Sequence, residues 1–241
     1  MHSSSVLGKI ARFPLRIVPA DLVVPVLRGP LRGSKWIVGS SLHSCWLGSY
    51  ESEKQRRIAR ELRPDSVFYD IGSNVGLYSL LAARRVHSGM VYAFEPLPQN
   101  VWYLGRHLEL NRVNNVEVLE LAVSDRTGTA FFQEGENSSM GHLTQKGNIR
   151  VCTATLDSLV LQERIAPPSV VKVDIEGAEL LALRGASECI QRYRPVIFVA
   201  THGREVHVEC CRLLESWKYE CRLLGCSDSE DRGEVIAKFC G

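Results

Sequence analysis

From residue 53 onward, short apolar runs alternate with amphipathic stretches. Residues 67–71 (VFYDI), 90–94 (MVYAF), 116–123, 170–175 (VVKVDI) and 195–200 are near-continuous in Val, Ile, Leu, Phe and Tyr. Such runs predict strands buried on both faces. Between them, residues 53–62, 77–85, 97–110, 178–190 and 205–217 place apolar side chains at helical spacing. Strand and helix in alternation, joined by short connections, predict an α/β doubly wound, mostly parallel sheet with helices on both faces. The last two strands, 219–224 and 235–239, are too close in sequence for a crossover helix, so they are expected as antiparallel neighbours. Two further strands, 129–133 and 150–153, flank the polar stretch 134–148, which reads as a loop over a site.

The first 52 residues follow a different pattern. Apolar residues there are interrupted by Lys9, Arg12, Arg16 and Arg28 and by Pro14, Pro19, Pro25 and Pro30. The prolines preclude one continuous helix, and the broken apolar core argues against a signal peptide. Residues 1–52 therefore read as an N-terminal arm or cap, and 53–241 as the main domain. No apolar run reaches the roughly 18 residues of an integral membrane span.

Composition refines this only a little. The chain has 241 residues, 45% of them hydrophobic, with a formal net charge of +2. It is long enough for one well-buried domain. No basic run suggests a nucleic-acid groove. The eight cysteines match no zinc spacing, so they read as reduced thiols of a cytoplasmic protein.

Candidate chemistry concentrates at two strand ends. After the first strand comes DIGSNVG, residues 70–76, just ahead of a helix. Gly72 and Gly76 allow a sharp turn and close approach of a ligand, with Ser73 and Asn74 between them. The following helix presents unpaired N–H groups. Glu95 ends the second strand, where a carboxylate can accept the hydroxyls of a ribose. Pro96 offers an apolar face to adenine, Asn100 follows on the next helix, and Ala122 lies near the place expected for the base. Asp70 at the loop mouth is a poor neighbour for pyrophosphate and a good one for a ligand bearing positive charge. This favours S-adenosylmethionine over a dinucleotide.

With these residues in view, the sequence resembles the FkbM-type methyltransferases. The resemblance is carried by residues 67–81 (VFYDIGSNVGLYSLL), 91–100 (VYAFEPLPQN), Asn111 with 114–116, 122–125 (AVSD), 155–159 (TLDSL) and 171–179 (VKVDIEGAE). It implies the class I methyltransferase (Rossmann-like) fold, a seven-stranded sheet with one antiparallel strand. It also implies S-adenosyl-L-methionine as cofactor and methyl transfer to a hydroxyl oxygen, on a sugar, glycan or small natural product. Many members carry Glu-x-His after the fifth strand, where this chain has Ala200-Thr201-His202. The histidine matches and the carboxylate does not.

Methyl transfer to a hydroxyl needs alignment and a base. His202 is the candidate base. Asp174 is expected to position cofactor and acceptor, and Glu176 to bind substrate or orient His202. Glu179, Tyr50 and His142 are expected at the acceptor, His142 with Ser139 as part of a lid. Lys172, inside its strand, reads as the structural partner of a carboxylate. No obligatory metal is expected. The acids of DIEGAE leave an amine acceptor open, the missing carboxylate at position 200 leaves a non-catalytic scaffold open, and homo-oligomerisation is left open.

Overall fold

The computed structural model describes residues 18–133, 142–144, 149–224 and 232–241. The chain begins with a small antiparallel ribbon, β1 (Val23–Pro25) and β2 (Lys35–Ile37), followed by helices α1 (His43–Leu47) and α2 (Ser52–Glu61). Then comes β3 (Val67–Ile71), α3 (Leu77–Ala83), β4 (Met90–Phe94), α4 (Pro98–Leu110) and β5 (Val116–Leu119). An inserted set follows, β6 (Ala122–Val123), β7 (Gly128–Gln133), β8 (His142–Thr144) and β9 (Ile149–Ala154). The chain ends through α5 (Leu156–Leu161), β10 (Val170–Val173), α6 (Glu179–Arg184), α7 (Ser187–Tyr193), β11 (Val196–His202), α8 (Arg204–Ser216), β12 (Tyr219–Leu223) and β13 (Arg232–Phe239).

The main sheet has seven strands in the order β12-β13-β11-β10-β3-β4-β5. It is parallel except for β13, which runs antiparallel to both β11 and β12. Strand order reverses between β3 and β10, and open α/β sheets bind ligands at such a switch point.

Alternation along the strands divides the core in two. Phe68, Val91, Ala93, Val170 and Phe198 face a layer built from α2, α3 and α4, joined by Trp36, Val38, Cys45 and Trp46 from the N-terminal segment. Tyr69, Ile71, Phe94, Val171, Val173, Ile197 and Val199 face α5, α6, α7 and α8. Each fully buried large side chain contributes about 1.5–3 kcal/mol by leaving water, which is why these runs read as continuously apolar.

Three expectations are revised. The strand expected over 116–123 breaks after Leu119, and Ala122–Val123 pairs with β9 in a separate four-stranded sheet. The helix expected over 178–190 is two helices. At the break, a Cβ on Gly185 would lie 1.9 Å from the Ser124 carbonyl oxygen, so the chain turns where only glycine fits. His142 is not in a loop but on β8, opposite Gln133. Its expected companion Ser139 lies outside the described residues, as do the first 17.

His107 ties the N-terminal segment to the rest. Its Nδ1–H donates to Val75 O at 2.7 Å, its Nε2 accepts from Ile37 N–H at 3.1 Å, and Trp36 stacks on its ring at 4.0 Å. Burial pushes its pKa down from 6.5 to about 4, because a charged ring would lose the Ile37 bond and sit desolvated. The unfolded chain therefore takes up a proton between pH 6.5 and about 4 that the folded chain refuses. Stability is full above pH 6.5 and falls on acidification through that window, by about 3 kcal/mol from this group. His107→Gln is expected to be less stable than wild type at neutral pH, with the gap narrowing toward pH 4.5 in chemical denaturation. A gap independent of pH would contradict this account.

Candidate functional site

At the carboxyl ends of β3 and β10 the two loops approach at van der Waals limits. A Cβ on Gly72 would lie 2.0 Å from Asp174 O, and one on Gly76 would lie 2.3 Å from Leu104 Cδ1. Both glycines have φ in the left-handed region, 75° and 91°. Protein packing already accounts for them, before any ligand approaches. Asp70, expected at the loop mouth, is wholly buried beneath it. Its carboxylate accepts from Ser79 Oγ at 2.6 Å and lies 3.1 Å from Lys172 Nζ, which also donates to Gly72 O at 2.8 Å. Lys172 thus has the structural pairing read from the sequence, and Asp70 holds the loop from below.

Glu95 is buried and already engaged. Oε1 accepts from Leu97 N–H and Asn100 Nδ2, and Oε2 accepts from Asn74 N–H at 2.9 Å. A carboxylate has about four acceptor positions, so one on Oε2 remains. Burial raises its pKa, opposed by these three hydrogen bonds and by Lys172. Pro96 beside it is half-buried, and Ala122 is buried in β6.

The loop borders a hollow of about 120 Å³, lined by Tyr50, Gly72, Ser73, Asn74, Tyr78, Lys172, Asp174 and Glu176 among others. Ser73 Oγ and Asn74 Oδ1 are buried there without hydrogen-bond partners, an arrangement a polar ligand would satisfy. A larger hollow, about 610 Å³, lies between α5, α7 and the segment leading into β10. It sits toward the opposite ends of the strands, so the smaller one is the candidate site.

Residues 174–177 turn sharply after β10. Glu176 and Gly177 have φ of 52° and 100°, and Glu51 and Asn74, across the cleft, have 40° and 49°. Three non-glycine residues around one cleft thus hold a conformation costing on the order of 1 kcal/mol each. The turn brings the acids to His202, at the end of β11. Glu179 Oε1 contacts Nδ1 at 2.8 Å, while Glu176 Oε2 and Asp174 Oδ1 lie 3.4 and 3.8 Å from Nε2. Burial alone would lower the pKa of His202. The Glu179 hydrogen bond and the charges of Asp174, Glu179 and Glu176 prevail and raise it.

Glu179, expected at the substrate, is therefore placed otherwise. It is fully buried, and Oε1 also accepts from Gly177 N–H at 2.9 Å. It holds the hydrogen bond to the imidazole Nδ1, while Glu176 lies against Nε2 on the other side of the ring. His142 belongs to the four-stranded sheet.

The sequence reading missed the cation at the centre. Lys54, on α2 and nearly fully buried, contacts Glu234 at 2.9 Å, Asp174 at 3.0 Å and Glu51 at 3.3 Å. Its ammonium lies 5.4 Å from the Tyr78 ring centroid, with Lys172 on the same ring at 5.3 Å. Tyr78 in turn donates to Glu51 at 2.5 Å. Burial raises the pKa of Asp174, but Lys54, Lys172 and His202 outweigh it and bring the value down to about 2. Glu234 stands directly across the ladder from Ala200, on the same face of the sheet. The carboxylate absent at position 200 is matched by one on the neighbouring strand. A lone lysine in a charged amphipathic helix gives no sequence signal of this; only tertiary packing reveals it.

A family model described as Methyltransferase FkbM domain matches residues 70–221. The chain is similar to a protein of Haloferax volcanii named hexuronic acid methyltransferase AglP, 27% identical over 183 residues, covering 75% of this chain and 74% of that one. It is 25% identical over 163 residues to the 31-O-demethyl-FK506 methyltransferase FkbM of Streptomyces tacrolimicus, covering 53% of this chain and 62% of that one. Among solved structures, the methyltransferase FkbM of Methylobacillus flagellatus superposes with a TM-score of 0.55 at 16% identity. That match covers 73% of this chain and only 44% of the other.

Lys54 and Glu234 both lie outside the matched residues yet meet inside the site. Lys54→Met is expected to leave Asp174, Glu51 and Glu234 facing one another and to destabilise the fold by about 3 kcal/mol. Adding Glu234→Gln is expected to restore part of that loss. Chemical denaturation of the two variants checks this, and a single variant as stable as wild type would refute the central role of the ammonium.

Proposed function

The chain belongs to the FkbM methyltransferase family, and on that premise we propose that this site methylates a hydroxyl group of a sugar, glycan or small natural product. The family and fold are those of S-adenosylmethionine-dependent methyltransferases. The observation that carries the reading is the convergence of His202 with three acids beside a hollow whose Ser73 and Asn74 side chains lack partners. The relatives support the acceptor class, since one is named for a hexuronic acid and another for FK506.

The residues suit the cofactor. S-adenosylmethionine carries a sulfonium, and among the charged groups lining the hollow Asp174 and Glu176 outnumber Lys172. Ser73 Oγ and Asn74 Oδ1 would meet its polar groups, and the remaining Oε2 position of Glu95 a ribose hydroxyl, with Asn100 holding Glu95 in place. Gly72 and Gly76 keep the loop compact, and Asp70 supports it through Lys172. Pro96 and Ala122 would flank the base. Bound there, the cofactor supplies an electrophilic methyl carbon.

His202 would take the acceptor proton on Nε2 as the oxygen attacks. Glu179, hydrogen-bonded to Nδ1, fixes the ring and favours the charged imidazolium that results. Asp174, locked by Lys54, and Glu176 would place the acceptor, with Tyr50 closing the other side of the hollow. The described cysteines are free thiols and no described helix is long and apolar enough to cross a membrane, and we place the reaction in the cytoplasm.

Calorimetric titration with S-adenosylmethionine is expected to show binding that survives His202→Ala. Methyl transfer across a panel of sugar and alcohol acceptors should fall about 100-fold or more in that variant. Loss of binding, or unchanged turnover, would overturn the assignment. Because the His202 pKa is raised, kcat should climb with pH through a limb above 6.5. Glu179→Gln removes the main stabiliser of the charged ring, so the limb should move to lower pH. A limb that stays in place would show that Glu179 does not act on the base.

A further inference from the structure

The two lysines at the site have no donor to spare. Lys54 Nζ meets Glu234 at 2.9 Å, Asp174 at 3.0 Å and Glu51 at 3.3 Å, one carboxylate for each of its three N–H groups, and its side chain is only 3% exposed. Lys172 Nζ is equally buried and also has three partners. These are the Asp70 carboxylate at 3.1 Å and the carbonyl oxygens of Gly72 at 2.8 Å and Ile71 at 3.5 Å. An anion entering the site would find both ammonium groups already surrounded.

The charged groups that reach the opening are acids. Asp174 and Glu176 line the hollow of about 120 Å³ with side chains 21% and 29% exposed, and both lie on the Nε2 side of His202. A second hollow at this end, about 260 Å³, shares Glu51, Lys54 and Glu234 with the network around the ammonium and adds Glu53, Ser49 and Ser52. Among the described residues lining the two hollows, five acids thus stand against Lys54 and Lys172. A separate feature marks the first hollow as a place for a ligand. Ser73, 4% exposed, lines it with an Oγ that has no hydrogen-bond partner.

We propose that the acceptor is an uncharged polyhydroxyl compound such as a neutral sugar, and that a carboxylate beside the methylated hydroxyl excludes a compound from this site. The proposal rests on the methyl-transfer reading and narrows it. Hydroxyl groups donate hydrogen bonds, and carboxylates only accept them, so Asp174 and Glu176 can hold the hydroxyls that flank the reacting one. An ionised carboxyl on the acceptor has no hydrogen to donate. It would meet like charge at Asp174 and Glu176, with neither lysine able to turn to it. Selection of this kind works by repelling the wrong compound as much as by binding the right one.

The test uses matched acceptors that differ only at C6. These are the methyl glycosides of glucose, galactose and mannose, the corresponding methyl glycosides of their uronic acids, and the methyl esters of those uronic acids. Transfer from labelled S-adenosylmethionine is followed at neutral pH. Each uronic acid is expected to have a kcat/KM at least about tenfold below its own ester, while ester and parent glycoside stay within a few-fold of each other. Glu176→Gln should narrow the gap between acid and ester several-fold, whatever it does to the absolute rates, and added salt should narrow it in wild type. A uronic acid methylated as fast as its ester, or a gap that Glu176→Gln and salt both leave unmoved, would overturn the proposal and leave the methyl-transfer reading standing. Binding of S-adenosylmethionine with transfer to no neutral sugar or alcohol would overturn both.

Discussion

The site depends on one buried positive charge among acids. Lys54 gathers Asp174 from β10, Glu234 from β13 and Glu51 from the entrance to its own helix. Without a cation there, three carboxylates would face each other with little water to screen them, and mutual repulsion would drive the strand ends apart. With it, the carboxyl end of β10, the amino end of β13 and the start of α2 are joined through one ammonium. Asp174 is then held ionised and oriented, and Tyr78 is fixed between Lys54 and Lys172. The N-terminal segment is thus part of the site, through Lys54, and part of the core, through Trp36 and His107.

A second constraint is backbone proximity. The loop after β3 and the turn after β10 nearly touch, so Gly72 has no room for a side chain. The close approach places the buried Asp70–Lys172 pair directly under the loop, and Lys172 reaches the Gly72 carbonyl. Glu95 braces the loop from β4 by accepting the Asn74 N–H. The loop is therefore preformed, with left-handed Asn74 held in place by its neighbours. Preformed geometry suits a reaction in which alignment supplies much of the rate.

The charge balance around His202 bears on its role. Three acids around the ring of His202 favour its charged form, Glu179 among them from full burial. The carboxylate missing at position 200 weakens this less than the sequence suggests, because Glu234 occupies the facing position on β13 and is tied into the same network.

Much was determined by sequence alone. Continuous apolar strands alternating with amphipathic helices need both faces of a mostly parallel sheet covered, so the succession of elements and the layering were legible in the local pattern. The glycine loop, Glu95, the acids after β10 and His202 could be read as candidates from their places at strand ends, and the structure brings them to one end of the sheet. What the local pattern could not carry was decided by contacts between distant residues. Asp70 went beneath the loop because Lys172 lies beside it on β10, and Glu179 turned inward because His202 and two backbone N–H groups meet it there. The strand over 116–123 splits where its pairing with β4 ends at Leu119, and Ala122 and Val123 pair with β9 instead. Lys54 and Glu234, 180 residues apart, meet only because α2 packs over the end of β13. Charge pairing across such distances has no period in the sequence, so only the tertiary structure settles which acid faces a ligand and which faces a lysine.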